Sequence, residues 1–262
     1  VKALFAETDF AKKVSLTAVN SINFARIAAQ TVYYFTAAAA LGKPPLFVVP
    51  TGNFGDVFAG EAAMRMGLAV EKLVVATNAN DIMARALNEG VYAAGRAQPT
   101  LSPSMDIQVA SNFERALFEA SGRNAEWVNE SFAAFGKTKS LTLPADVRAA
   151  LAERYEAYRY DDEATLAAIA RVHKETGRLI DPHTAVGVAA AYGLKPRPGV
   201  PTVVLATAHP AKFPVAVEKA TGEIPVLPQA LKAAMTAEEH YRVLPAAKDL
   251  VRAAIEANVP AP

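Results

Sequence analysis

Two short β-branched runs, LFVV at 46–49 and KLVVAT at 72–77, stand one helix-length apart. That spacing constrains the fold more than any other feature of the chain. Each run is apolar along its whole length and bounded at both ends, which reads as a strand buried on both faces. Residues 57–66 between them carry a helical pattern. NDIMARALNEG follows the second run as another helix, with Asn80 or Asp81 as N-cap and Gly90 as its stop. The rhythm is βαβ, and it predicts an α/β fold: a parallel sheet flanked by helices in three layers. An Ala-rich stretch without Gly or Pro predicts one more helix over 22–41.

Beyond residue 110 the strand signals stop until about 178. SNFERALFEASG opens with Ser111 and has Glu114 three residues on, the spacing of a capping box. Helices are expected at about 126–135, 144–158 and 162–176, packed as a helical insertion. VPTVVLATAHP (200–210) restores a strand, followed by helices at about 211–220, 228–235 and 245–257. The expected division is therefore 1–110 as the first part of an α/β domain, 111–178 as a helical subdomain, and 179–262 as the closing strand and C-terminal helices.

Composition removes several function classes. With 27 Lys+Arg against 26 Asp+Glu the net charge is +1, and no dense basic run is interleaved with aromatics, so nucleic acid is not favoured as a partner. There is no cysteine, which excludes disulfides, thiolate metal sites and cysteine nucleophiles and suits a reducing cytoplasm. His173, His183, His209 and His240 show no zinc-ligand spacing. The most apolar stretch, ARIAAQTVYYFTAAAALG, holds Arg26, Gln30 and two Thr, and is too short and polar for a membrane span. At 52% hydrophobic and 20% charged, the chain reads as globular.

The chemistry concentrates where the first strand ends. In VVPTGNFGDVFAG, Gly52 and Gly55 flank Asn53 and Phe54 at the C-terminal end of a buried strand, where open α/β sheets bind ligands. Glycine permits positive φ and close backbone approach, and successive N–H groups before a helix form a concave anion site. The motif is neither a Walker A loop nor G-x-G-x-x-G. Asp56 reads as the cap of the following helix. A tight turn without a ligand accounts for the same letters. Some thirty residues earlier, Asn20, Ser21, Asn23 and Arg26 open the long apolar helix, a second place for an anion. A helix cap plus one surface arginine is the plain alternative there.

Taken together, NSINFARIAAQTVYYF, VPTGNFGDVFAG, VVATNANDI, LSPSMDIQVASNFERALFE, LIDPHTAVGVAAA and LATAHPAKFP resemble, in order, the threonine synthases. These are pyridoxal-phosphate enzymes of the tryptophan-synthase-β type (fold type II). The resemblance implies that the 1–110 part is cofactor-binding. Gly52, Asn53, Phe54, Gly55 and Asp56 match the loop that holds the phosphate of pyridoxal 5'-phosphate. Thr207 matches the hydroxyl residue beside the pyridine nitrogen, where a neutral group adds no charge to keep that nitrogen protonated. Asn20, Ser21 and Arg26, with Asn23 a weaker addition, match the residues that hold the substrate's phosphate. The implied reaction converts O-phospho-L-homoserine and water to L-threonine and phosphate, with the cofactor as electron sink.

The family's imine-forming lysine lies on a segment upstream of all these motifs, and nothing in this chain matches it. The resemblance therefore implies a C-terminal portion whose catalytic lysine is expected upstream of Val1. Its partner would be the remaining N-terminal part of its own chain, and alone it is expected to be inactive. Lys212 in AHPAKF reads as a first-turn lysine of the helix after the last strand. In DPHTAVG the Asp181–His183 pair with Thr184 invites an acid–base reading, but Asp-Pro before the Ala-rich 185–192 favours a helix cap or pocket lining; Asp106 reads as a border of the substrate and His209 as a turn former before Pro210. Trp127, Tyr155, Tyr158 and Tyr160 read as packing on the helical insertion. Two rivals are weighed: another fold type II enzyme, such as a threonine dehydratase or cysteine synthase, which has no use for Arg26 with Asn20 and Ser21; and a non-catalytic phosphate-binding module.

Overall fold

The computed structural model describes residues 2–17 and 20–258. In chain order the elements are α1 (Lys2–Phe5), α2 (Thr8–Lys13), α3 (Phe24–Leu41), β1 (Leu46–Pro50), α4 (Gly55–Arg65), β2 (Lys72–Thr77), α5 (Ile82–Glu89) and β3 (Val91–Ala93). There follow α6 (Phe113–Ala120), α7 (Ala125–Thr138), β4 (Ser140–Thr142), α8 (Ala145–Arg154), β5 (Tyr155–Arg159), α9 (Asp162–Thr176) and α10 (Pro182–Gly193). Then β6 (Thr202–Val204), α11 (Pro214–Thr221), α12 (Gln229–Thr236) and α13 (Lys248–Glu256) complete the chain.

The chain divides into two compact units, residues 21–226 and residues 1–20 with 227–262. The larger unit holds a parallel sheet in the order β5-β2-β1-β6. Leu46 to Pro50 pair in register with Lys72 to Ala76, and Leu46 also faces Thr202. Both central strands are buried, and their alternate residues serve opposite faces. Phe47, Val49, Leu73 and Val75 join the core with Ile27 and Tyr34 of α3 and Val57 and Ala59 of α4. Leu46, Val48, Val74 and Ala76 pack instead on Val186 and Ala190 of α10. Helices thus cover both faces, as the α/β reading predicts. In the smaller unit, Glu7 pairs with Lys248 at 2.6 Å and Arg252 at 2.9 Å, and Arg252 stacks over the ring of Phe10.

The stretch expected to be purely helical is not. Its helix over 144–158 ends at Arg154, and Tyr155–Arg159 instead forms β5, which pairs in parallel with β2 as the edge of the main sheet. The reason is visible in the letters once the sheet is known. Tyr155 and Ala157 turn inward in strand alternation, and pairing with β2 overrides the helix preference of the preceding AALAER. A small antiparallel pair, β3 with β4, also lies outside the expectation. Tyr155 and Tyr158 therefore pack from the sheet rather than from a helix.

Candidate functional site

β1 occupies the middle of the sheet, so the loop after it opens at the sheet's C-terminal edge, where neighbouring connections diverge. The strained residue of this loop is not a glycine. Phe54 takes the left-handed conformation (φ 63°, ψ 9°) and is the N-cap of α4. Strain of this kind costs about 1–3 kcal/mol. Burial of the ring, edge-on to Phe113 and Tyr155 at 5.4 Å each, offsets it. Gly52 is needed for close approach: a Cβ there would stand 2.8 Å from the carbonyl oxygen of Ser104. With Phe54 turned this way, the backbone N–H groups of residues 52–57 donate to no acceptor among the described residues. A run of unsatisfied donors at a helix start is suited to an anion.

Asp56 does not cap α4 as expected; no side chain caps that helix. Its carboxylate turns toward α3, where it accepts hydrogen bonds from the hydroxyls of Tyr33 and, at 3.2 Å, Tyr34. Loss of water raises the Asp56 pKa above its ordinary value, against the lowering effect of those two hydrogen bonds. The same burial pushes the Tyr33 phenol up.

The two anion motifs meet through Asn112, which is fully buried. Its side chain donates to the carbonyl of Ser21 at 2.8 Å and of Asn53 at 3.2 Å, and its N–H donates to Asn53 at 3.0 Å. Arg115 adds a bond to the carbonyl of Ile22. Ser111 forms no capping box, since the N-cap of α6 is Asn112 and no side-chain bond caps it. The Ser111 hydroxyl is committed to Ser21 at 3.2 Å and to Asn53 at 3.3 Å. A cavity of about 150 Å³ results, lined by Ser21, Arg26 and Gln30 on one side and residues 50–57 on the other. Arg26 makes no ion pair with a described residue there. Asn23 and Asn20 are not among its walls. Asn23 caps α3 by accepting from Ala25 N–H at 2.9 Å, and Asn20 is an exposed residue of the other compact unit.

Thr207 lies at the opposite end of the loop. It shares a cavity of about 170 Å³ with Gly52, Asn53, Ser104, His183 and Lys212. Asp181, wholly buried, organises this end. As N-cap of α10 it accepts from the N–H of His183 and of Thr184, from the Thr184 hydroxyl and from His183 Nδ1 at 2.9 Å. Burial raises its pKa, but these bonds outweigh burial and hold it below the ordinary carboxylate value. Two supports radiate from it. His183 Nε2 accepts from Ser104 N–H at 3.1 Å, just where Ser104 abuts Gly52, and Thr184 Oγ1 accepts from Thr207 N–H at 3.2 Å. With both ring nitrogens engaged, His183 carries its proton on Nδ1 and has no free nitrogen for acid–base work. The reading of this motif as cap and pocket lining holds, and His209 likewise shapes its turn by accepting from Ala211 N–H.

Asp106 does not border the groove as a free carboxylate. It ties together Asn78, Asn80 and both donors of Thr100. Sequence reasoning also passed over Gln30 and Tyr33. They stand four and seven positions after Arg26 on α3, one helical face of polar groups, and line a third cavity of about 530 Å³ with Asp56 and Thr207.

The family model described as "Threonine synthase, C-terminal" matches residues 184–255. A threonine synthase of Pseudomonas aeruginosa is 49% identical over 249 residues, 94% of this chain and 53% of its own length. A solved structure described as a PLP-bound threonine synthase from Brucella melitensis superposes with a TM-score of 0.93 at 45% identity, covering 99% of this chain and 56% of that one. The yeast threonine synthase structure gives 0.84 at 36% identity. The chain thus spans about half the length of the relatives it matches. Across nearly all of its own length, it belongs to the threonine synthase family and corresponds to the C-terminal portion of those enzymes.

Proposed function

We propose that this chain carries the phosphate-holding half of a threonine synthase site, in which O-phospho-L-homoserine and water become L-threonine and phosphate with pyridoxal 5'-phosphate as cofactor. The observation that carries the reading is the single cavity in which Arg26 and Ser21 face the unsatisfied N–H groups of the 52–57 loop. The donor set fits the cofactor. Backbone N–H groups at a helix start suit its phosphate, and the hydroxyl of Thr207 at the far end of the groove suits its ring nitrogen. When bound, that group supplies an electron sink for carbanions.

The chain's own residues do the holding. Gly52, Asn53, Phe54 and Gly55 present the N–H groups, and Asp56 fixes the loop to Tyr33 and Tyr34. Thr184 positions Thr207. Arg26 and Ser21 engage the substrate's phosphate, with Asn20 and Asn23 assigned to the same task by the family likeness alone. The lysine of the reaction, the rest of the enzyme as partner and a cytoplasmic setting belong to the same proposal. A module that merely binds phosphate would have no need of a positioned Thr207.

Calorimetric titration with an amino acid ending in a phosphonate, a stable mimic of phosphohomoserine, tests the substrate end. Arg26→Ala should weaken binding by about 1.5–3 kcal/mol, roughly ten- to a hundredfold and more. Unchanged affinity in a folded variant would overturn this assignment. The cofactor end is tested by borohydride reduction of the chain with pyridoxal phosphate. Scattered, substoichiometric labelling of lysines is expected. Stoichiometric labelling of Lys212, which lines the Thr207 cavity, would move the reactive lysine into this chain.

A further inference from the structure

The core-facing stripe of α3 is Ile27, Thr31, Tyr34 and Ala38. One residue earlier at each turn runs a second stripe, Arg26, Gln30 and Tyr33, which faces the groove. Two of its three members have evident partners or tasks. Tyr33 is bonded to Asp56, and Arg26 supplies the cation. Gln30 between them is half-buried, lines both the 150 Å³ and the 530 Å³ cavities, and its carboxamide makes no hydrogen bond with a described residue. An amide at a cavity wall with no protein partner is free to donate to a ligand that enters the cavity.

We propose that Gln30 is a specificity-determining residue of the substrate-phosphate site, donating its amide N–H to a terminal oxygen of the phosphate monoester. This rests on the threonine synthase reading of the same cavity. A tetrahedral phosphate presents three terminal oxygens and a carboxylate two. Arg26 binds two of them in a fork, as it would bind either group. The Ser21 hydroxyl and the Gln30 amide then meet what remains, and only the tetrahedral group has a third oxygen to offer. A neutral donor suits this place, because a further cation would lie beside Arg26. Gln30 thereby sorts phosphate from carboxylate, while Arg26 supplies attraction common to both.

The test compares two amino acids of equal chain length, one ending in a phosphonate and one in a carboxylate, titrated calorimetrically into the 262-residue chain. Gln30→Met, close in volume, should weaken the phosphonate about tenfold or more and the carboxylate by no more than about twofold. Gln30→Glu should weaken both, the phosphonate more. Gln30→Asn, which keeps the amide but withdraws it by one methylene, should follow Gln30→Met, and guards against a packing defect in that variant. If Arg26→Ala weakens the phosphonate and the Gln30 variants leave the phosphonate-to-carboxylate ratio unchanged, Gln30 is a bystander and the inference fails while the reading stands. If neither Arg26 nor Gln30 matters, the reading of the cavity fails and the inference with it.

Discussion

Two helices in this protein start beside the same groove and solve the problem of their free N–H groups in opposite ways. α10 is closed by its own aspartate: Asp181 spends both oxygens on N–H and hydroxyl groups of its first turn. α4 has an aspartate one residue into the helix, yet Asp56 faces away to two tyrosines and leaves the loop's N–H groups open. The electrostatic consequences also diverge. Hydrogen bonding overcomes burial at Asp181 and lowers its pKa, whereas burial prevails at Asp56 and raises it. A capped helix start is scaffold, and an uncapped one held in a strained turn is a candidate receptor. Which of the two a given Asp serves is decided by where its side chain can reach.

The largest effect is expected where the closed end is opened. Asp181→Ala removes the cap and leaves His183 Nδ1 and the Thr184 hydroxyl without their acceptor. Unfolding by urea should show a loss of about 2–4 kcal/mol. The parent's dependence on acid has a definite sign. Because the folded pKa of Asp181 is depressed, its stabilisation is fully present above the ordinary carboxylate value and is lost as pH falls through the folded one. The variant should lack that loss. A variant as stable as the parent near neutral pH would make the cap incidental.

Next in size is the open end. Gly52→Ala places a Cβ 2.8 Å from a backbone carbonyl that cannot swing aside, and Ser104 is itself held by His183. A cost of about 1–3 kcal/mol is expected, together with loss of pyridoxal-phosphate retention in equilibrium dialysis. Gly55→Ala meets the side-chain amide of Asn112 at 3.2 Å and the Ser21 carbonyl oxygen at an ordinary contact distance of 3.7 Å, and it sits in the first helical turn, so it should cost less than about 1 kcal/mol. Reversal of that order would mean that Gly55, not Gly52, sets the loop.

The contrast between the two helix starts was half legible in the sequence. Asp-Pro before an Ala-rich helix announces its cap, because the signal is local. β1, β2 and α9 were readable for the same reason: their periodicity and bounds lie within a few residues. What escaped depends on distant partners. β5 exists because β2 offers it an edge, and Asp56 leaves its expected place because Tyr33 and Tyr34 arrive from α3. Ser111 has capping-box spacing but is drawn off by Ser21 and Asn53, ninety and fifty-eight residues away. Phe54 is the sharpest case. The letters Gly-Asn-Phe-Gly suggest that glycine takes the positive φ, and only the ring's burial against Phe113 and Tyr155 shows why the aromatic does.

The smallest effect tests whether Asp56 is tolerated rather than needed as a charge. Asparagine keeps an oxygen to accept from Tyr33 and Tyr34 but carries no charge to desolvate. For a carboxyl whose folded pKa is raised, the protonated form is favoured by folding. Its contribution to stability is therefore full below the ordinary carboxylate value and is lost as pH rises through the higher folded one. The parent should thus lose stability over that window relative to Asp56→Asn, so that the difference between them grows from acid toward neutral pH. The sign is opposite to that expected at Asp181. Urea midpoints of both proteins at several pH values between about 4 and 7 measure it. Because the variant removes a negative charge from the wall of the cavity that the loop lines, inorganic phosphate should also bind it no more weakly than the parent at neutral pH. A variant that falls further behind the parent as pH rises would show that the ionised carboxylate is stabilising, and that the two aspartates do the same work after all.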